Sequence, residues 1–369
     1  GDPDLILACE WGPIRVFLNE GGAFTEATKR LGLEEFKGFW NGVATGDFDG
    51  DGRLDIVASN WGRNTRFQSF LDHPWRLYCG DFDGNGTLDL VEAYFEPTMK
   101  KLVPWRARDA MSKSLPMVRA KFATFRDYAN ASVEEVIGER FVDARQLQVN
   151  RLDSMLFLNR GARFEARALP TEAQFAPAFG IGVGDLDGDG NEDLFLAQNF
   201  FATEIETSRY DAGRGLWLRG DGKGNFRPVP AEDSGVGIYG EQRGVALADF
   251  DGDGRVDLVV GQNRGPTKLF HNRGAKPGLR VRLQGPPDNP AAVGAALRLG
   301  FGQRFGPARE IHCGSGYWSQ DSFVQVLATP EVPSQIWVRW PGGKTNAWAL
   351  PAGAREIIVA AAGQMKVVK

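Results

Sequence analysis

Through roughly the first 275 residues, apolar positions come in short runs bounded by glycine and polar residues. One set opens on glycine: Gly42-Val-Ala-Thr-Gly46, Gly180-Ile-Gly-Val-Gly184 and Gly244-Val-Ala-Leu-Ala248. A second set follows at Ile56-Val-Ala58, Leu90-Val91, Leu194-Phe-Leu-Ala197 and Leu258-Val-Val260. A third comprises Val16-Phe-Leu-Asn19, Leu156-Phe-Leu-Asn159, Leu216-Trp-Leu218 and Leu269-Phe-His-Asn272. A fourth centres on Phe after a glycine turn: Ala23-Phe-Thr25, Arg163-Phe-Glu165 and Asn225-Phe-Arg227. Runs this short between turn residues predict strands. Four antiparallel strands per unit, repeated, predict an all-β chain built as a β-propeller of at least five units, the first incomplete. One stretch departs from the pattern. Met117 to Tyr128 has apolar residues at three- and four-residue steps and predicts a helix. Asn130 or Ser132 is placed to cap a second short helix, with Glu134 and Glu135 in its first turn.

The polar loops between the first and second sets repeat more strictly. They are Asp47-Phe-Asp-Gly-Asp-Gly-Arg-Leu-Asp55, Asp81-Phe-Asp-Gly-Asn-Gly-Thr-Leu-Asp89, Asp185-Leu-Asp-Gly-Asp-Gly-Asn-Glu-Asp193 and Asp249-Phe-Asp-Gly-Asp-Gly-Arg-Val-Asp257. Positions one, three, five and nine carry side-chain oxygens: Asp47, Asp49, Asp51 and Asp55; Asp81, Asp83, Asn85 and Asp89; Asp185, Asp187, Asp189 and Asp193; Asp249, Asp251, Asp253 and Asp257. Position seven can add a backbone carbonyl, from Arg53, Thr87, Asn191 or Arg255. Hard oxygens in a flexible loop suit calcium, which takes about six to eight oxygen ligands. The loop is not an EF-hand, because Asp closes it at position nine and strands flank it. The bland alternative is a set of metal-free Asp-Gly hairpins. Four copies at one spacing favour calcium, about four ions.

These loops and their flanking strands resemble the FG-GAP or VCBS repeat family, relatives of integrin α-subunit heads. The resemblance covers roughly residues 1–275 and implies calcium in the hairpin between the first two strands of each blade. Gly1-Asp-Pro-Asp4-Leu-Ile-Leu7 is similar to the tail of another loop, with Asp4 at its ninth position. That similarity leads to the expectation that the chain begins inside a blade. Loop spacings of 34, 104 and 64 residues predict a shortened outer half after Asp47 and an insertion over about 97–154. After Asn272 the acidic loops stop. Strands are expected at Leu279–Leu283, Ala295–Leu299, Phe323–Leu327, Ile336–Trp340 and Glu356–Val359. Asn289-Pro290, Val293-Gly-Ala295, Gly314-Ser-Gly-Tyr-Trp-Ser-Gln320 and Val338-Arg-Trp-Pro-Gly-Gly343 resemble the ASPIC and UnbV module, over about 278–362. The two regions together resemble bacterial relatives of the cartilage acidic protein family.

Composition sharpens this picture. Glycine numbers 47 of 369 residues, and eight are the paired glycines of the four loops. The net charge of −4 conceals 15 carboxylates at loop ligand positions; four calcium ions would bring it to about +4. Near-neutrality gives no electrostatic reason to bind nucleic acid, and no apolar run is long enough for a membrane helix. Cys9, Cys79 and Cys313 are too few for a disulfide framework and are expected as small residues in strands. The Asn130 and Asn85 sequons are read as chance matches.

Topology suggests where a ligand would sit. The calcium loops lie on one face, so the loops between second and third strands, and those joining blade to blade, lie on the other. That face should carry Trp11, Trp40, Trp61, Tyr239, Glu241 and Arg243, and the insertion as well. Loops on a rigid scaffold commonly bind, and Trp, Tyr and Arg serve as anchors. The FG-GAP resemblance likewise implies a ligand at that face. The competing role for each aromatic is a wedge between blades. The expectation is therefore a calcium-stabilised module that binds or adheres to a glycan or extracellular protein. It is placed outside the cytoplasm (secreted, periplasmic or on the cell surface), because extracellular calcium modules bind at about 0.1–1 mM. Two alternatives stand beside it: a polysaccharide lyase or hydrolase, with Glu10 and Glu241 as the one carboxylate pairing to test, and a structural spacer. Gly314-Ser-Gly316 is not a nucleophile elbow.

Overall fold

Each acidic loop is a turn between two strands in register at its base. Gly46 pairs with Asp55, Gly80 with Asp89, Gly184 with Asp193 and Ala248 with Asp257. The computed structural model describes residues 2–204, 207–314 and 316–369, and the chain is all-β apart from short helices.

The Asp185 sheet has the expected order: Ala178–Gly184, Asp193–Gln198, Leu216–Gly220 and Phe226–Val229. The Asp249 sheet has three strands, Glu241–Ala248, Asp257–Asn263 and Gly265–Phe270. The first sheet joins Leu5–Leu7, Arg15–Glu20 and Ala23–Glu26.

The Asp47 sheet corrects the expected organisation. Its first two strands, Gly42–Gly46 and Asp55–Ser59, are continued by Met155–Asn159, which pairs with Asp55–Ser59, and then by Phe164–Ala168. Its outer half is full length and merely distant in sequence. The interruption begins just after Ser59, not near Pro97, and it contains the whole Asp81 sheet: Lys101–Pro104, Asp89–Glu96, Trp75–Gly80 and Arg145–Val149. The ends of the interruption lie side by side, with Ala58 opposite Met155 and the Asn60 N–H donating to Ser154 Oγ at 3.1 Å. A loop whose ends already meet can lengthen at little entropic cost.

The expected helix over 117–128 is two, Met117–Lys121 and Phe125–Ala129, because Thr124 caps the second through a reciprocal bond with Asp127. Ser132 caps Val133–Ile137 in the same way with Glu135, which is a capping box.

The glycines of the first strands have a packing cause. A Cβ at Gly42 would stand 2.3 Å from the Phe179 carbonyl oxygen, and one at Gly180 would stand 2.4 Å from that of Arg243. The first strands of the Asp47, Asp185 and Asp249 sheets thus pass too close for side chains. Between the sheets lie apolar layers, including Phe48, Leu156, Ile181 and Leu196, then Phe195, Val245, Leu247 and Leu258.

Beyond Ala275 two further sheets share a core of their own, with Leu279, Val281, Leu297, Ile336, Val338 and Ile357 all buried. Leu279–Gln284 and Glu356–Ala360 pair in parallel. Thr345–Ala349 and Met365–Val367 are edge strands with alternating or exposed side chains. Cys79 is buried in a strand as expected, whereas Cys9 is half-buried between strands and Cys313 is exposed outside one. Among the described residues no helix is long and apolar enough to cross a membrane.

Candidate functional site: the acidic loops and the opposite face

The four loops close by one hydrogen-bond scheme. The position-six N–H donates to the first carboxylate: Gly52 to Asp47, Gly86 to Asp81, Gly190 to Asp185 and Gly254 to Asp249, at 2.8–3.1 Å. Both glycines of every loop have positive φ, where a side chain would be strained. The ninth Asp accepts from position two, as when the Phe48 N–H donates to Asp55 Oδ2 at 2.9 Å and Leu186 to Asp193 Oδ2 at 3.0 Å. Its other oxygen accepts from the end of the third strand or just past it: from Asn159 at Asp55, Gly220 at Asp193 and Asn272 at Asp257. Asp4 accepts from Asn19 at 2.9 Å in the same manner, so it occupies the ninth-position role.

This scheme brings the carboxylates of positions one, three and nine together. In each loop they offer oxygens within 4.8 Å of one another: Asp47, Asp49 and Asp55; Asp81, Asp83 and Asp89; Asp185, Asp187 and Asp193; Asp249, Asp251 and Asp257. Positions three and five also face cations: Asp49 pairs with Arg160 and Asp187 with Arg219, both at 2.5 Å. Asp51 pairs with Arg53, Asp189 with Arg219 at 3.0 Å, and Asp253 with Arg255 at 2.5 Å.

Burial makes the first and ninth carboxylates of the Asp47 and Asp185 loops costly. Desolvation pushes Asp47 up to about 6, Asp55 to about 7, Asp185 to about 6 and Asp193 to about 8. Asp47 Oδ1 and Asp49 Oδ1 are buried with no hydrogen-bond partner. A buried, unsatisfied charged oxygen is destabilising unless a cation meets it. The donor set is all oxygen and flexible, so the residues present fit calcium.

On the opposite face the expected residues separate. Tyr239 is 70% exposed, with the Arg214 guanidinium 5.2 Å from its ring centroid. Trp11 and Trp61 are half-buried. Trp11 meets Phe39 edge-on at 4.8 Å, while Trp61 packs against Phe67 of the insertion and against Phe200 and Tyr210. Trp40 is only 2% exposed; it packs on Phe157 and donates from Nε1 to the Phe36 carbonyl. It is a core residue and lines no surface. Glu241 and Arg243 form a buried ion pair at 2.5 Å. Arg243 also donates to the Asn199 carbonyl and lies 3.8 Å from the Phe179 ring centroid, while Glu241 accepts from the Phe201 N–H. They hold loops together and are not presented to a ligand.

Sequence reasoning missed Glu192. It occupies loop position eight, where the other copies carry Leu54, Leu88 and Val256. It is 2% exposed and grips Arg309 through two bonds, at 2.7 and 3.1 Å. A charge at a position that is otherwise apolar was the available signal.

From Gly306 onward the C-terminal part runs along the first strands. Ala308 meets Asp47, His312 Nε2 lies 3.3 Å from Thr45 Oγ1, and Tyr317 meets the Phe179 ring edge-on at 6.1 Å. The chain then returns to Leu247, whose N–H donates to Asp321 and whose carbonyl accepts from Ser322.

Comparison with known proteins covers the Asp47 and Asp249 loops. A family model described as an FG-GAP-like repeat matches residues 1–58 and 200–260. Human cartilage acidic protein 1 is 28% identical over 257 residues, covering 68% of this chain and 34% of that protein. The protein of the same name from Mus musculus is 28% identical over 254 residues, covering 68% and 35%. That from Xenopus tropicalis is 30% identical over 103 residues, covering 28% and 14%. The chain spans about a third of the length of the human and mouse relatives it matches. It carries FG-GAP-like repeats and is homologous to cartilage acidic protein 1.

Proposed function

We propose that this chain is a non-catalytic, extracytoplasmic binding or adhesion module whose repeats form blades of a β-propeller held by calcium. In this reading residues 1–275 are the repeat domain and 278–362 a separate β domain. The observation that carries it is the fourfold recurrence of three convergent carboxylates, with the buried oxygens of Asp47 and Asp49 unpartnered. Positions one, three, five and nine supply the metal's side-chain oxygens and position seven its carbonyl. Bound calcium would add to the positive charge of the guanidinium groups already facing these loops, and the chain's own residues orient the carboxylates by the shared hydrogen-bond scheme.

The ligand, a glycan or an extracellular protein, is met on the face away from these loops. Tyr239, Arg214 and Phe175 are its accessible members, flanked by half-buried Trp11 and Trp61. Tyr239 is 70% and Phe175 45% exposed, and an exposed ring beside a guanidinium is a suitable contact for a sugar face or a protein side chain. The test is capture on a glycan array and by an immobilised extracellular-protein panel. Tyr239→Ala and Arg214→Ala should each abolish the wild-type signal with melting unchanged. A wild-type signal that survives both variants would contradict the assignment.

A further inference from the structure

Three of the four acidic loops are joined to the C-terminal sheets. At the Asp47 loop, the Ala308 N–H donates to Asp47 Oδ2 at 2.8 Å, and Arg298 reaches the Gly50 carbonyl at 3.4 Å. At the Asp185 loop, Glu192 and Arg309 form their fork with side chains 1% and 11% exposed. At the Asp249 loop, Arg280 Nε lies 2.8 Å from Asp249 Oδ2, and the same guanidinium bonds Glu356 at 2.9 Å. The Asp81 loop differs. It belongs to the inserted sheet, and its cation is Arg140 of the same insertion, 3.6 Å from Asp81.

Asp47 shows how docking and metal can act together. Its Oδ2 is taken by the N–H groups of Gly52 and Ala308. Its Oδ1 is buried and has no hydrogen-bond partner, in a residue whose carboxylate converges with those of Asp49 and Asp55. The Ala308 bond therefore fixes the carboxylate with one oxygen left for a cation. Covering that oxygen without a cation is unfavourable, so an ion there favours the docked state. The ion's charge weakens the attraction between loop and C-terminal guanidinium groups but does not reverse it. The Asp47 and Asp249 loops each carry four carboxylates at ligand positions, and one calcium leaves each formally negative. The guanidinium groups facing them remain attracted.

We propose that calcium in the Asp47, Asp185 and Asp249 loops and docking of the C-terminal sheets are thermodynamically linked, each strengthening the other, with the Asp81 loop outside the linkage. This rests on the reading of the loops as calcium sites. Linkage is reciprocal: whatever calcium adds to docking, docking adds to calcium affinity.

The test uses the full chain, with calcium titrated by calorimetry and amide exchange followed over residues 306–325 by mass spectrometry. Removing calcium should speed exchange of that segment at least about tenfold, a coupling of about 1.4 kcal/mol or more. Asp49→Asn should do part of the same at saturating calcium, and Asp83→Asn should not. Arg280→Ala with Arg309→Ala, which alters no proposed calcium ligand, should weaken three of four sites and spare one. Equal exchange with and without calcium, or equal opening by Asp83→Asn and Asp49→Asn, would overturn the linkage while leaving calcium binding intact. Absence of any binding heat would instead overturn the calcium reading, and the linkage with it.

Discussion

At the scale of residues, aromatic side chains take different roles according to burial. Trp40 and Tyr239 both fall on predicted loops, yet Trp40 is core and Tyr239 is surface. Trp40→Ala should cost about 3–5 kcal/mol of stability through the cavity it leaves, measured by chemical denaturation. Tyr239→Ala should cost less than about 0.5 kcal/mol. The loop carboxylates give a pH signature. Burial raises Asp55 to about 7 and Asp193 to about 8 from an ordinary 3.8. Without calcium, the folded form then keeps protons that the unfolded chain has already lost. Stability should fall as pH rises from about 4 to about 8 and level off above that. Calcium removes this penalty because it binds the ionised carboxylates. The drop in melting temperature caused by a chelator should thus be larger at pH 8 than at pH 5.5. The opposite order in scanning calorimetry would contradict the assignment.

At the scale of elements, the inserted Asp81 sheet is the informative case. Because its loop stands apart from the C-terminal contacts, Asp81→Asn with Asp83→Asn should remove one calcium from the stoichiometry and leave the other three affinities within about twofold. Loss of more than one site would contradict its independence. The loops and most strands of the repeats were legible from the sequence, because a nine-residue spacing and short apolar runs are local signals. The pairing of Asp55–Ser59 with Met155–Asn159 was not. Sequence distance hid it, and a complete inserted sheet with its own acidic loop imitated the next unit in line. The edge strand Thr345–Ala349 escaped because half its residues face solvent and only Trp348 and Asn346 are partly covered. Glu241 and Arg243 were legible as charged neighbours on one face, but whether such a pair is buried depends on what packs over it. Here that is Phe179 and Phe200.

At the scale of the whole molecule, the acidic loops are junctions as well as candidate metal sites. Glu192, Asp47 and Asp249 each bond the C-terminal part. The sheets of the repeats pack through first strands stripped to glycine where they meet. Such an assembly places many buried carboxylates at its seams, so its stability should depend on the cation that neutralises them. With Kd near 0.1–1 mM, each site adds about 0.4–1.4 kcal/mol in millimolar calcium. The most direct test is the melting temperature of the full chain in millimolar calcium and after chelation, with bound calcium counted by calorimetry. The account predicts about four ions and a fall in melting temperature on chelation. An unchanged melting temperature, with no calcium bound, would contradict it.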